Sequence, residues 1–364
     1  MSEQSSVASF RRGVSGSSIR LGVLLPPRDV LPTVSGAVAA LLGAYVDELN
    51  AEGGVRRRRL DLFFAAPEGT ADERAQAMRE FVKNERLFAL AASFTDGADR
   101  ELSVAAAELG IPLLATISSK PWSSIAPGKW VRDLCGGVVE QSVALMTAFG
   151  ARGGGGTVAV LHDDHAAAEA IGRYAGLQAQ FADVKTMTAE ELRRRDPAAV
   201  LLAASGGAAE RLLHELSVMQ WWPPLLLPGG ALPPQLLDRL RPGGGVWIAV
   251  PTAAQDQTPE ALDAYTALAK RHVLPLGHQI SQFAALTSMQ LFLDAIRRAD
   301  DVHQTSLLAA IDATQRFHSG LFAPLTYGPR RHIGSSGAWI FALHEGTAPQ
   351  WVEVESGATS RARV

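Results

Sequence analysis

Residues 19–25 read IRLGVLL, residues 49–55 LNAEGGV and residues 60–66 LDLFFAA. The two apolar runs are strands, and the stretch between them is a helix with one buried stripe. Its apolar positions Val38, Leu41, Leu42, Tyr45, Val46 and Leu49 recur at helical spacing, while Asp47 and Glu48 face water. Gly53-Gly54 supply the left-handed turn that ends it. The pattern then repeats as helix Ala71–Lys83, strand Leu87–Ala92, helix Arg100–Leu109 and strand Ile111–Thr116. Strands alternating with helices of this length predict a parallel sheet covered by helices on both faces. Such sheets hold ligands at the carboxyl ends of their strands. In this chain those ends carry Pro26-Pro27-Arg28, Phe94-Thr95-Asp96 and Ser118-Ser119.

After Pro121 the alternation pauses in a loop, Trp122–Gly128, and a short extended stretch, Lys129–Leu134. It then restarts with helix Val138–Phe149, strand Thr157–His162, helix Ala166–Phe181, strand Asp183–Met187, helix Ala189–Arg195 and strand Ala199–Ala203. Helix Ala208–Met219, strand Pro224–Leu227, helix Pro234–Leu240 and strand Val246–Val250 complete a second α/β unit. Three further helices follow near Glu260–His272, Ser281–Ala299 and Thr305–Thr314, then strand-like Ala323–Tyr327, Ala338–His344 and Trp351–Val354. Helices without strands of their own must pack on a sheet already built, and the first unit has an open flank. The expected fold is therefore α/β, two doubly wound parallel-sheet lobes joined by a multi-strand hinge. Lobe 1 is expected over residues 19–121 plus 254–328, and lobe 2 over 122–253 plus 329–364. Residues 1–18, Ser-rich and polar, read as a flexible tail.

The chain has 364 residues, enough for two domains, and a net charge of −3 that gives a phosphate backbone no hold. Arg56–Arg59 is the only strong basic run and reads as a solvated loop, with a nucleic-acid or membrane surface as the lesser alternative. A single cysteine, Cys135, excludes an intrachain disulfide, and a buried thiol is the ordinary reading for it. No apolar run is long enough for a transmembrane helix, and the first residues lack a signal-peptide core. The expected location is periplasmic with a leader or anchor removed, or cytoplasmic if the missing signal is genuine.

Five stretches together resemble the type I periplasmic binding proteins, in particular their leucine/isoleucine/valine-binding branch. Glu48–Val55 (ELNAEGGV) matches that branch's E-I-N-A-x-G-G-V, and Glu108–Leu113 precedes the fourth strand as it does there. Thr157–Asp164 (TVAVLHDD) resembles the start of the second lobe, and Leu291–Ala299 with Thr326–Pro329 resembles a late helix and turn. The resemblance runs from Ile19 to about Val354. It implies two lobes that close on a ligand in a cleft, delivery to a membrane transporter, and no chemistry or cofactor.

In that family hydroxyl pairs after the third and fourth strands hold an amino acid's carboxylate. Here those positions are Thr95-Asp96 and Ser118-Ser119, which equally suit capping of the next helices. Two amino-acid anchors are missing. The family's Tyr after the first strand of lobe two aligns with Ala167. Its acidic loop aligns with Pro228-Gly229-Gly230-Ala231. Burying an ammonium without a partner costs several kcal/mol, more than neutral hydrogen bonds at about 1 kcal/mol each return. Asp96 or Asp164 is the available substitute. The other positions assigned to the cleft are apolar or small, Phe94, Trp122, Gly229, Gly230, Phe283 and Pro27, with Arg28, Ser205 and Gln255 as further polar contacts. Apolar walls favour an apolar guest at about 25 cal/mol per Å².

His162-Asp163-Asp164-His165 has metal-ligating residue types, but neighbours on a strand end point in alternate directions, so a solvated or ligand-facing loop is preferred. Gly153–Gly156 precedes a strand rather than following one and is a linker. Cys135, His278 and Asp163 suffice on paper for a nucleophilic group, and nothing in the spacing assembles them. Arg330-Arg331 and His332 read as a solvated hinge loop. The expected function is a monomeric, non-enzymatic substrate-binding protein for a small, largely apolar molecule with one polar end, such as a sterol, hopanoid or aromatic acid. The alternatives are a branched-chain or other amino-acid binding protein, or a cytosolic ligand-sensing regulator of the same fold.

Overall fold

The structure, a computed structural model, describes residues 12–27, 32–174, 178–204, 206–231, 245–343 and 349–354. The chain divides into two compact units. The first comprises Met1–Thr116, Lys129–Val131 and Asp263–Thr314; the second comprises Ile117–Gly128, Arg132–Leu262 and Gln315–Val364.

In the first unit four parallel strands, β1 (Ser18–Leu24), β2 (Arg59–Ala65), β3 (Ala89–Ala91) and β4 (Leu113–Thr116), alternate with α1 (Pro32–Ala51), α2 (Ala71–Asn84) and α3 (Asp99–Leu109). The strand order within this unit is β4-β3-β1-β2; β5 (Val131–Cys135) and β11 (Ile333–Ser335), almost wholly in the second unit, pair with each other. Local chemistry fixes each element. Thr70 and Glu73 form a reciprocal cap on α2. Gly110, left-handed at φ 60°, ends α3. The ELNAEGGV turn is held by Asn50, whose amide donates to the Leu60 carbonyl (3.0 Å) and accepts from the Leu60 N–H (2.8 Å). One side chain thus pins the start of β2 to the end of α1. The late helices α8 (Pro259–Arg271), α9 (Gln279–Arg298) and α10 (Gln304–Asp312) come between the second unit's long middle segment and its last one. Of these α9 packs on α1, β3 and β4, covering the open flank.

The second unit repeats the design. Its sheet runs β13-β12-β10-β9-β8-β6-β7. The parallel part is β6 (Val158–His162), β7 (Ala179–Asp183), β8 (Ala199–Ala203), β9 (Leu225–Pro228) and β10 (Val246–Val250). β12 (Ala338–Ala342) and β13 (Gln350–Val352) add antiparallel. Helices α4 (Val138–Ala151), α5 (His165–Tyr174), α6 (Ala189–Arg195) and α7 (Gly207–Val218) cover it. Alternate strand residues serve opposite cores, as the pleat requires. Val158, Val160 and Leu201 join the core that includes α4; Ala159, Leu161, Val200 and Leu202 join the one that includes α7. Helix α4 is buried almost all round from Val138 to Met146.

Four expectations are corrected. Residues 12–17 are no loose tail: Gly13 accepts from the Arg20 N–H (2.8 Å), and Arg12 donates to the Leu109 carbonyl at the end of α3 (3.0 Å). The strand expected at Asp183–Met187 lies at Ala179–Asp183, because this edge strand is largely exposed and lacks the apolar alternation that marks a strand. Residues 323–327 make only an isolated bridge, Phe317 with Leu325, since Pro324 has no N–H to give a ladder. Arg56 is no solvated side chain: its guanidinium donates to the carbonyls of Ile296, Ala299 and Asp300, capping the carboxyl end of α9. The helix expected at Pro234–Leu240 lies outside the described residues, as does His344.

Candidate functional site

Both sheets reverse their strand order at one strand. β1 lies between β2 and β3, and β6 lies between β7 and β8. Connections leave such a point on opposite faces, which opens a crevice at the carboxyl ends. The residues to inspect therefore follow β1 and β3 in the first unit, and β6 and β8 in the second.

In the first unit the two strand ends are laced together. Leu24 N–H donates to the Ser93 hydroxyl (3.0 Å), which donates to the Ala91 carbonyl (3.2 Å), and Phe94 N–H donates to the Leu24 carbonyl (2.8 Å). Ala92, in the left-handed region at φ 51°, turns the chain sharply out of β3, and its N–H donates to Ser288 of α9 (2.7 Å). This brings Pro27 and the Phe94-Thr95-Asp96 loop to the ends of neighbouring strands. Thr95 is buried, and its hydroxyl donates to the Asp99 carboxylate (2.6 Å) at the start of α3. Asp96 is exposed, and its carbonyl accepts from Arg74 (2.6 Å). Phe283 is buried on α9 with its ring edge-on to Tyr265 (4.9 Å). Arg28 lies outside the described residues.

In the second unit the Ser118-Ser119 turn meets the glycine loop that follows β9. A methyl group on Gly230 would sit 3.2 Å from the Ser119 Cβ, so a larger residue there would push the two loops apart by a few tenths of an ångström. Gly230 N–H donates to Gln141 Oε1 (3.2 Å), and the Gln141 amide donates to the Gly136 carbonyl (3.2 Å). The Ser119 carbonyl accepts from Val138 N–H at the head of α4 (2.8 Å), and the Ser118 hydroxyl accepts from Lys120 N–H (2.9 Å). Lys120 then reaches the loop after β6, where its ammonium pairs with Asp163 (2.9 Å). Asp164 caps α5, accepting from the N–H groups of Ala166 (2.9 Å) and Ala167 (3.3 Å). Ala167 packs into the core beside Ala170 and Ile171. Trp122 is half-buried in a short 3-10 turn, Gln255 is exposed in another, and Ser205 lies outside the described residues.

Sequence reasoning missed Lys120 and Gln141. Lys120 had a readable signal, since it directly follows a hydroxyl pair at a strand end. Gln141 had none, because its partner Gly230 is supplied by a loop far along the chain. Among the described residues no group of three or more His, Cys, Asp or Glu has metal-holding geometry, and no helix is long and apolar enough to cross a membrane.

A sequence profile of the periplasmic binding proteins matches residues 18–348. No curated protein matches the sequence. Among solved structures the chain is similar to a fatty acid ABC transporter substrate-binding protein from Thermomonospora curvata, at 17% identity and a TM-score of 0.67, over 94% of this chain and 93% of that one. It is similar to an ABC transporter substrate-binding protein from Desulfitobacterium hafniense in complex with Leu, at 17% identity and a TM-score of 0.70, over 92% and 100% of the two chains. A branched-chain amino acid ABC transporter protein from Thermus thermophilus with bound valine gives 17% identity and a TM-score of 0.64 over 95% and 97%.

Proposed function

We propose, on the premise that this chain belongs to the periplasmic binding protein family, that it captures a small, largely apolar molecule with one polar end and hands it to a membrane transporter. One observation carries the choice of ligand: the carboxylates that follow β6 are already engaged. Asp163 pairs with Lys120, and Asp164 caps α5. The loop after β9, Pro228-Gly229-Gly230-Ala231, carries no acid. A ligand ammonium would therefore lack a free counter-charge at these described loop positions, while the Ser118-Ser119 hydroxyls suit a hydroxylated or acidic end, to which Lys120 adds its charge only in exchange for its pairing with Asp163.

The residues proposed to meet the ligand are Pro27, Arg28, Phe94, Thr95, Asp96 and Phe283 of the first unit, with Ser118, Ser119, Trp122, Asp164, Ala167, Ser205, Gly229, Gly230 and Gln255 of the second. The protein acts as a monomer outside the cytoplasmic membrane, and it binds without chemistry. The fatty acid-binding relative accords with this reading. An α-amino acid is the competing ligand, because structures of the same fold hold leucine and valine.

Calorimetric titration decides between them. A long-chain fatty acid or a hydroxylated sterol is expected to bind at micromolar concentration or tighter and leucine not to bind. Micromolar leucine binding would end the proposal.

A further inference from the structure

The Arg330-Arg331-His332 run takes no part in the strand-end loops. It lines a separate cavity of about 160 Å³ that lies wholly within the second unit. We propose that this cavity is a second ligand site, and that it takes a small carboxylate whose body is one ring or an equivalent branched chain, benzoate being the simplest.

Size sets the first limit, since an apolar cavity of about 150 Å³ holds one benzene. The wall suits such a body: Ile125, Val139, Val143 and Ile333 supply aliphatic surface. Charge sets the polar end. Arg331 is engaged with Glu353 (3.2 Å) and Ser336 (3.3 Å). Arg173 and Arg330 also line the cavity, are exposed, and have no carboxylate partner among the described residues. Two guanidinium groups at the margin of an apolar hole match a carboxylate on an apolar body.

Among the described residues the one acid in the lining is Glu140, which is 8% exposed. Its Oε2 accepts from Gly137 N–H (3.0 Å) and from the Ser124 hydroxyl (3.0 Å). Burial pushes its carboxyl up to about 7. It therefore lacks the full negative charge at neutrality that would repel an incoming anion. None of the cavity's residues is among those proposed above for the transported ligand.

The test uses the full chain with benzoate, benzamide and an Arg173→Ala/Arg330→Ala double variant, which alters exposed side chains only. Titration calorimetry gives affinity, and backbone amide shifts locate the ligand. Support is benzoate binding with shifts centred on Ser124 and Ile333, about tenfold weaker for benzamide and about tenfold weaker in the double variant. The proposal is overturned if benzoate does not bind at millimolar concentration. Shifts centred on Ser119 and Gly230, or an affinity unchanged in the double variant, overturn it equally. None of these outcomes bears on whether a fatty acid binds at the strand ends.

Discussion

Glu140 is a carboxyl group closed off from water in the first turn of α4, and that position makes it a pH-sensitive element of the fold. Burial holds it up to about 7 in the folded protein, against an ordinary value of 4.5. Between those values the folded chain binds a proton that the unfolded chain has already lost. Its contribution is therefore fully present below the lower value and is lost as pH rises towards the upper one. The window amounts to roughly 3 kcal/mol. Denaturant titrations at about pH 5 and about pH 8 are expected to show the wild type losing stability across the interval relative to Glu140→Gln, which stays neutral throughout. Equal slopes would contradict this. Lys120 makes a second test at this scale. Lys120→Met is expected to weaken a fatty acid about tenfold and leave a sterol's affinity unchanged. At this scale the sequence was half legible. Ser118 and Ser119 announced themselves by following a strand, whereas the work of Gln141 depends on a backbone N–H contributed from Gly230.

Elements depend on a few buried polar anchors. Gln282 of α9 is wholly buried. It accepts from the Tyr265 hydroxyl (2.7 Å) and donates to the carbonyls of Ala37 (3.2 Å) and Pro275 (3.1 Å). It thereby ties α8, α1 and the loop before α9 to one side chain. Gln282→Leu takes the partner from the Tyr265 hydroxyl and the Pro275 carbonyl and a second bond from the Ala37 carbonyl, which keeps its place in the α1 ladder, and a loss of roughly 2 kcal/mol is expected by denaturant unfolding. A loss below about 1 kcal/mol would mean that water replaces the amide. Helix α1 could be read directly because its stripe holds over many turns, and the Gly53-Gly54 stop is local chemistry. β7 could not, because an exposed edge strand carries no burial pattern to read. The turn at residues 12–17 was missed for a related reason. Its polar sequence resembles a tail, yet a Cβ at Gly13 would strike the Phe88 backbone, so the close docking depends on glycine.

For the whole molecule, both units use the same core order, β2-β1-β3-β4 in one and β7-β6-β8-β9 in the other. That order, rather than any single motif, locates the candidate loops; alternating periodicity predicts the parallel, doubly wound design but not which strands are neighbours. The late helices were expected on the first unit's open flank because they bring no strands of their own, and α9 packs there on α1, β3 and β4. A chain in which a short flexible linker replaces Asp263–Thr314 would lack α9 and with it the Ser288 hydroxyl that receives the Ala92 N–H, while keeping β12 and β13 of the second unit. Hydrogen exchange on such a chain is expected to show β1, β3 and β4 unprotected while the second unit's strands stay protected. Full protection in β3 would show that the late helices are dispensable.

The late arrival of α9 also bears on how the protein is made. A ribosome releases β1 to β4 first, then nearly the whole of the second half, and only then the helix that seals β3 and β4. The portion synthesised first thus stays unfinished until most of the second has been made, although the second is itself completed only by β12 and β13. From Thr116 to Gln279 its greasy flank waits for a cover that has not been built, an exposed apolar surface of the kind chaperones bind.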